Sequence, residues 1–124
     1  MNGDEMTRCA REYALTLPFT EACWPFGPEY DVYKAGGKMF MLTTVLRGQP
    51  LINLKAGPEM ALLHRAIYAS IRPGYHMNKR HWISVYGGED ITPELLKSLI
   101  DDSRQRVIAT LPKRVRQRLC PPCG

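Results

Sequence analysis

A chain of 124 residues that is 44% hydrophobic and 23% charged can bury one modest core, and this composition speaks against wholesale disorder. No apolar run approaches the roughly 18 residues that a membrane-crossing helix requires, and the opening residues, with Asp4 and Glu5 and no apolar stretch, do not read as a secretory signal. The net charge of +5 is concentrated: residues 71–82 and 103–118 carry nine of the 17 Lys and Arg and no acid, a local footprint that attracts polyanions.

Residues 4–17 place Met6, Cys9, Ala10, Tyr13, Ala14 and Leu17 at the spacing of one helical face. Asp4 is the expected N-cap, and Pro18 ends the segment. Trp24-Pro25-Phe26-Gly27-Pro28 is rich in breakers and reads as a loop. Asp31–Lys34 alternates, and Gly36-Gly37 supplies a tight hairpin turn. Lys38–Leu46 is a long strand. Simple alternation puts Met39, Met41, Thr43 and Val45 on one face and Phe40, Leu42, Thr44 and Leu46 on the other. Arg47-Gly48-Gln49 turns the chain into a further strand over Leu51–Lys55.

Gly57-Pro58-Glu59 opens a second helix running to about Ser70, with Leu63, Ala66 and Ile67 expected to face inward. Residues 71–81 are irregular or a short strand around Pro73-Gly74, and Trp82–Tyr86 is a strand ended by Gly87-Gly88. Thr92-Pro93-Glu94 opens a third helix with an inward stripe of Leu95, Leu96, Leu99, Ile100, Ser103, Val107 and Leu111, closed by Pro112. These elements predict an α+β fold: a two-layer sandwich in which an antiparallel sheet carries three helices on one face, in the order α-β(3-4)-α-β(1-2)-α. Residues 1–112 form the domain, and 113–124 a basic tail expected to fray.

The segment from Arg72 to Trp82 is the most distinctive. Arg72, Lys79 and Arg80 are cations suited to phosphates, Asn78, His76 and His81 offer hydrogen bonds, and Tyr75 and Trp82 offer rings that can stack on bases. Equally, the turn at Pro73-Gly74 could leave the charges merely solvated and the rings in the core.

Arg72–Trp82, Pro25-Phe26-Gly27, Gly36-Gly37-Lys38-Met39-Phe40 and Pro50–Lys55, taken together and in order, resemble the MmcQ/YjbR family of small bacterial proteins, over nearly the whole chain to about Pro112. The resemblance implies the two-layer fold shared with frataxin-like and secretion-chaperone-like domains. It also implies a proposed DNA-binding role through paired basic β-hairpin wings. The matching basic positions are Lys34, Lys38, Lys55, Arg72, Lys79 and Arg80.

Other chemistry finds little footing. A frataxin-like iron ridge needs carboxylates, and the first helix mixes Asp4, Glu5 and Glu12 with Arg8 and Arg11. Cys120-Pro-Pro-Cys123 has redox or metal-pair spacing, but only Gly124 follows, so no helix can stabilise a thiolate. No phosphate-cradling glycine loop or nucleophile elbow is present. His76 and His81 without a nearby carboxylate are a thin basis for acid–base catalysis. The expectation is therefore a non-catalytic, cytoplasmic DNA-binding protein using Lys34, Lys38, Lys55, Arg72, His76, Asn78, Lys79, Arg80 and His81, with double-stranded DNA as partner and no cofactor, metal or membrane. The alternative is a chaperone-like domain that binds a peptide or protein, or a second copy of itself, through an exposed sheet face bearing Phe40, Leu42, Thr44 and Leu46.

Overall fold

A computed structural model describes residues 1–119. Ten elements follow one another: α1 (Gly3–Thr16), β1 (Thr20–Cys23), β2 (Asp31–Ala35), β3 (Lys38–Leu46), β4 (Gln49–Lys55), α2 (Pro58–Ile67), β5 (Ile71–Pro73), β6 (Trp82–Tyr86), α3 (Pro93–Ala109) and α4 (Lys113–Leu119). The strands form one sheet in the order β1-β2-β3-β4-β6-β5, every pair antiparallel. Helices gather on one side, as the amphipathic spacing predicts. Met6, Ala10 and Ala14 of α1, Ala61 of α2, Leu96, Ile100 and Val107 of α3 and Leu119 of α4 join Tyr33, Met41, Ile52, Leu54, Ile83 and Val85 of the sheet in one buried cluster.

Local chemistry explains most boundaries. Asn2, not Asp4, caps α1: its Oδ1 accepts from the Glu5 N–H at 2.8 Å, while its Nδ2 donates to Glu5 Oε1 at 2.7 Å. Thr92 caps α3 through the Leu95 N–H at 3.1 Å, with Pro93 in the first turn. The expected α3 stripe is buried at Leu96, Leu99, Ile100, Ser103 and Val107, and Arg104 is buried beside it, its Nη2 donating to the Pro18 carbonyl at 2.8 Å.

Three features depart from the sequence expectation. The tail expected to fray from Lys113 is helical to Leu119, because Leu119 reaches the core and is 6% exposed. Cys120–Cys123 lies outside the described residues. The second helix stops at Ile67, and Leu63 and Ile67 are 48% and 59% exposed. Only Ala61 of α2 is buried, since the helix sits at the short β5 margin of the sheet. The third departure is a bulge. Tyr33 pairs with Met41 but Lys34 pairs with Met39, so β3 holds one extra residue opposite β2. Phe40 and Met41 therefore both enter the helix-side core, and both are 0% exposed. Phe40 does not share a face with Leu42 and Thr44.

Candidate nucleic-acid interface

The second sheet face carries no helix. Register fixes its members: Val32 opposite Leu42, Leu42 opposite Asn53, Asn53 opposite Ser84, and Ser84 opposite Arg72. Alternation adds Lys34 and Met39 on one flank and Lys55 and Trp82 on another. Val32, Leu42 and Leu51 are buried yet stand apart from the helix-side cluster. The loops over residues 24–30 and 74–81 lie over this face.

Both loops are tied down. The Thr44 hydroxyl donates to the Glu29 carbonyl at 2.9 Å. Across the sheet, Asn53 Nδ2 donates to the Tyr75 carbonyl at 3.0 Å, the Tyr75 N–H donates to Ser84 Oγ at 2.8 Å, and the Ser84 hydroxyl donates to Asn53 Oδ1. Beyond Tyr75 the chain turns on itself through Gly74 N–H to Trp82 O at 3.1 Å and His81 N–H to Asn78 O at 3.2 Å. His76 takes a left-handed φ of 55°, which costs roughly 1–2 kcal/mol for a residue with a Cβ and which the surrounding bonds sustain.

Between the loops and the sheet lies a cavity of about 410 Å³. Its floor is Met39, Leu42 and Asn53. Phe26 and Tyr30 form one wall, and Tyr75, His76 and Met77 the other. The Tyr75 and His76 rings pack with centroids 4.1 Å apart, and Phe26 is 62% exposed at the rim.

The candidate cations divide between the faces. Lys34, Lys55 and Arg72 lie on the helix-free face, with the Arg72 guanidinium 4.8 Å from the Tyr86 ring centre. His76 and Arg80 are exposed on the neighbouring loop. Lys38 is elsewhere: it pairs with Ala35 of the helix-side core, and its Nζ donates to Thr110 Oγ1 at 3.2 Å. Lys79 is exposed and donates one N–H to the Gly74 carbonyl at 2.9 Å, and Asn78, also exposed, accepts through Oδ1 from the Arg80 N–H at 2.9 Å. His81 is half-buried, and its carbonyl accepts from the Ala56 N–H at 2.8 Å. Among the described residues, Asp102–Arg106 is the only salt bridge, so no carboxylate neutralises Lys34, Lys55, Arg72 or Arg80 at contact distance.

Sequence reasoning did not single out Tyr30, Asn53 or Met77. Asn53 had a signal, since it is a polar residue between Ile52 and Leu54 on a central strand, where an amide must find partners. Among the described residues, no group of three or more His, Cys, Asp and Glu is placed to hold a metal ion, and no helix is long and apolar enough to cross a membrane.

The YjbR family model matches residues 15–106. The chain is 55% identical over 121 residues to the protein YbdF of Escherichia coli O157:H7, covering 98% of this chain and 99% of that one. It is 32% identical over 108 residues to the protein YjbR of Escherichia coli strain K12, covering 87% and 92%. Among solved structures, Deinococcus radiodurans protein DR2400 superimposes with a TM-score of 0.79 at 33% identity, covering 90% of this chain and 86% of that one. A Pseudomonas syringae protein does so with a TM-score of 0.70 at 28% identity, covering 86% and 98%.

Proposed function

The chain belongs to the YjbR family, and from that premise we propose that it is a non-catalytic DNA-binding domain of the cytoplasm that grips the phosphate backbone with the helix-free face of its sheet. The observation that carries this reading is the register that gathers Lys34, Lys55 and Arg72 on one face, next to an acid-free loop that exposes Arg80. Three to four cations without a carboxylate partner among the described residues suit a row of phosphates, whose condensed counterions are released on binding. Lys38 leaves the proposed contact set, because register places it on the helix side, where its ammonium reaches Thr110. Lys79 and Asn78 are exposed on the loop beside Arg80 and stay in the set, since one bond from the Lys79 ammonium to a carbonyl leaves its charge and two N–H groups, and Asn78 engages only its Oδ1. His81, half-buried, contributes through its backbone to the loop. A peptide-binding sheet face draws less support: Phe40 is buried under the helices, and Leu42 and Thr44 are 7% and 8% exposed beneath the loops.

Fluorescence titration of a labelled duplex at several salt concentrations tests the proposal. Affinity is expected to fall as salt rises. Changing Lys34, Lys55 and Arg72 together to Ala should reduce the log–log salt slope by about 2–3, close to one unit per lost phosphate contact. An unchanged slope in that folded variant, or no binding at low salt, rejects it.

A further inference from the structure

Phosphate contacts do not explain the cavity between the loops and the sheet. Its lining is apolar and aromatic, and its volume of about 410 Å³ suits a small planar group. Thr44, His76 and Asn53 interrupt it with polar groups, and the Thr44 hydroxyl is already bonded to the Glu29 carbonyl. Asn53 is 2% exposed, and its amide is half spent: one N–H goes to the Tyr75 carbonyl, and one lone pair of Oδ1 receives the Ser84 hydroxyl. A second N–H and a second lone pair remain on an amide that lines the cavity. Such a donor–acceptor pair matches the edge of a nucleobase, adenine above all. The rings of Phe26, Tyr30 and Tyr75 supply stacking surfaces that any base can use.

Resting on the DNA reading, we infer that this cavity receives one base turned out of its strand, while Lys34, Lys55 and Arg72 on the same sheet face hold the flanking phosphates. The two parts complement each other in charge and polarity. An aliphatic ligand would leave the second N–H and lone pair of the Asn53 amide unmatched, and a bare anion would leave the aromatic walls unused. A base within a phosphate chain uses both. Stacked bases in an intact duplex are not available to the cavity without the cost of unpairing, so unpaired DNA is the preferred substrate.

Titrations with one labelled sequence test this, presented as single strand, as perfect duplex, and as a single strand with abasic sites throughout. The intact single strand is expected to bind about tenfold more tightly than either of the others, in line with loss of one stacked base. All three should share a similar salt slope. Phe26→Ala, at an exposed loop position, should erase the preference for the intact single strand over the abasic one. Equal affinity for intact and abasic strands, or for strand and duplex, overturns the cavity assignment and leaves the phosphate-binding reading standing. Failure of every oligonucleotide to bind at low salt overturns both.

Discussion

The Ser84 hydroxyl donates to Asn53 Oδ1 across the β4–β6 pair, joining residues 31 positions apart in the buried sheet. The same hydroxyl oxygen accepts from the Tyr75 N–H at 2.8 Å, and the Asn53 amide returns a bond to the Tyr75 carbonyl at 3.0 Å. Two strands and the 74–81 loop are thus closed into one ring of hydrogen bonds. Ser84→Ala should leave the Tyr75 N–H without its acceptor and cost about 1–3 kcal/mol, since unmade bonds at buried groups carry the desolvation penalty. Urea denaturation should show a lower midpoint at unchanged slope, and the Tyr75 amide should exchange faster. An unaltered midpoint would mean that water replaces the hydroxyl without loss.

Ser103 plays the matching part under the helices. Its hydroxyl donates to the Phe40 carbonyl at 2.6 Å and accepts from the Lys55 N–H at 2.8 Å, and the residue is 0% exposed. One side chain therefore serves two backbone groups on adjacent strands at the bulge. Ser103→Ala should cost about 2–3 kcal/mol, because it orphans both groups at once. Thermal and urea unfolding measure it, and a cost under about 0.5 kcal/mol, the range of surface changes, would contradict the bridging role.

How much of this was legible in the sequence follows from what each feature depends on. Helix α1 and α3 and the strand run from Asp31 to Lys55 depend on local spacing, caps and glycine turns, and these stand in the text of the chain. The side of the sheet to which Lys38 belongs does not. Simple alternation groups Lys38 with Leu42 and Thr44, but the extra residue at Phe40 reverses the parity, leaving Met39 on the helix-free face and Lys38 on the other. A bulge is a property of two paired strands, and neither strand alone announces it. Likewise α4 is too short to persist by propensity, and it depends on the burial of Leu119 against distant residues. The apolar side of α2 misleads for the converse reason. Its periodicity is real, yet the narrow sheet margin covers only Ala61.

The placement of Lys38 separates two kinds of cation on this protein. Its ammonium group reaches Thr110 on the helix side, away from Lys34, Lys55 and Arg72. Lys38→Ala should leave oligonucleotide affinity within about twofold, the scale of a general charge effect, whereas Arg72→Ala should weaken it and lower the salt slope by about one unit. Equal losses from the two substitutions would show that net charge, not the sheet face, governs binding.

Leu119 and Gly36 report on the last helix. Gly36 has a φ of +60°, and a Cβ there would come within 2.6 Å of Leu111 Cδ1 and 3.0 Å of Leu119 Cδ1. The β2–β3 turn is thus packed beneath the α3–α4 corner. Leu119→Ala should destabilise the domain by about 2 kcal/mol through lost burial and an unfilled cavity. Gly36→Ala should also destabilise it, through both the backbone angle and the collision. A freely fraying tail would give no change for Leu119→Ala, so chemical denaturation of the full chain decides the matter.

Asp90 gives the protein an acid-sensitive tie. The Ser70 hydroxyl donates to Asp90 Oδ1 and the Ser70 N–H donates to Oδ2 at 3.1 Å, joining the β5 approach to the loop before α3. The Ser70 side-chain bond, opposed by partial burial and aided by backbone N–H groups, holds the Asp90 carboxyl below its ordinary value of 3.8. A carboxyl whose pKa is lower in the folded than in the unfolded chain stabilises the fold fully above the unfolded value. That contribution is lost as pH falls from about 4 through the folded value. Asp90→Asn should therefore lower the urea midpoint at pH 7 and flatten its decline below pH 4. Ser70→Ala should do the same through the partner, by returning the Asp90 carboxyl toward its ordinary value. A wild-type midpoint that falls no more steeply below pH 4 than that of Asp90→Asn would show that this pair does not set the acid response.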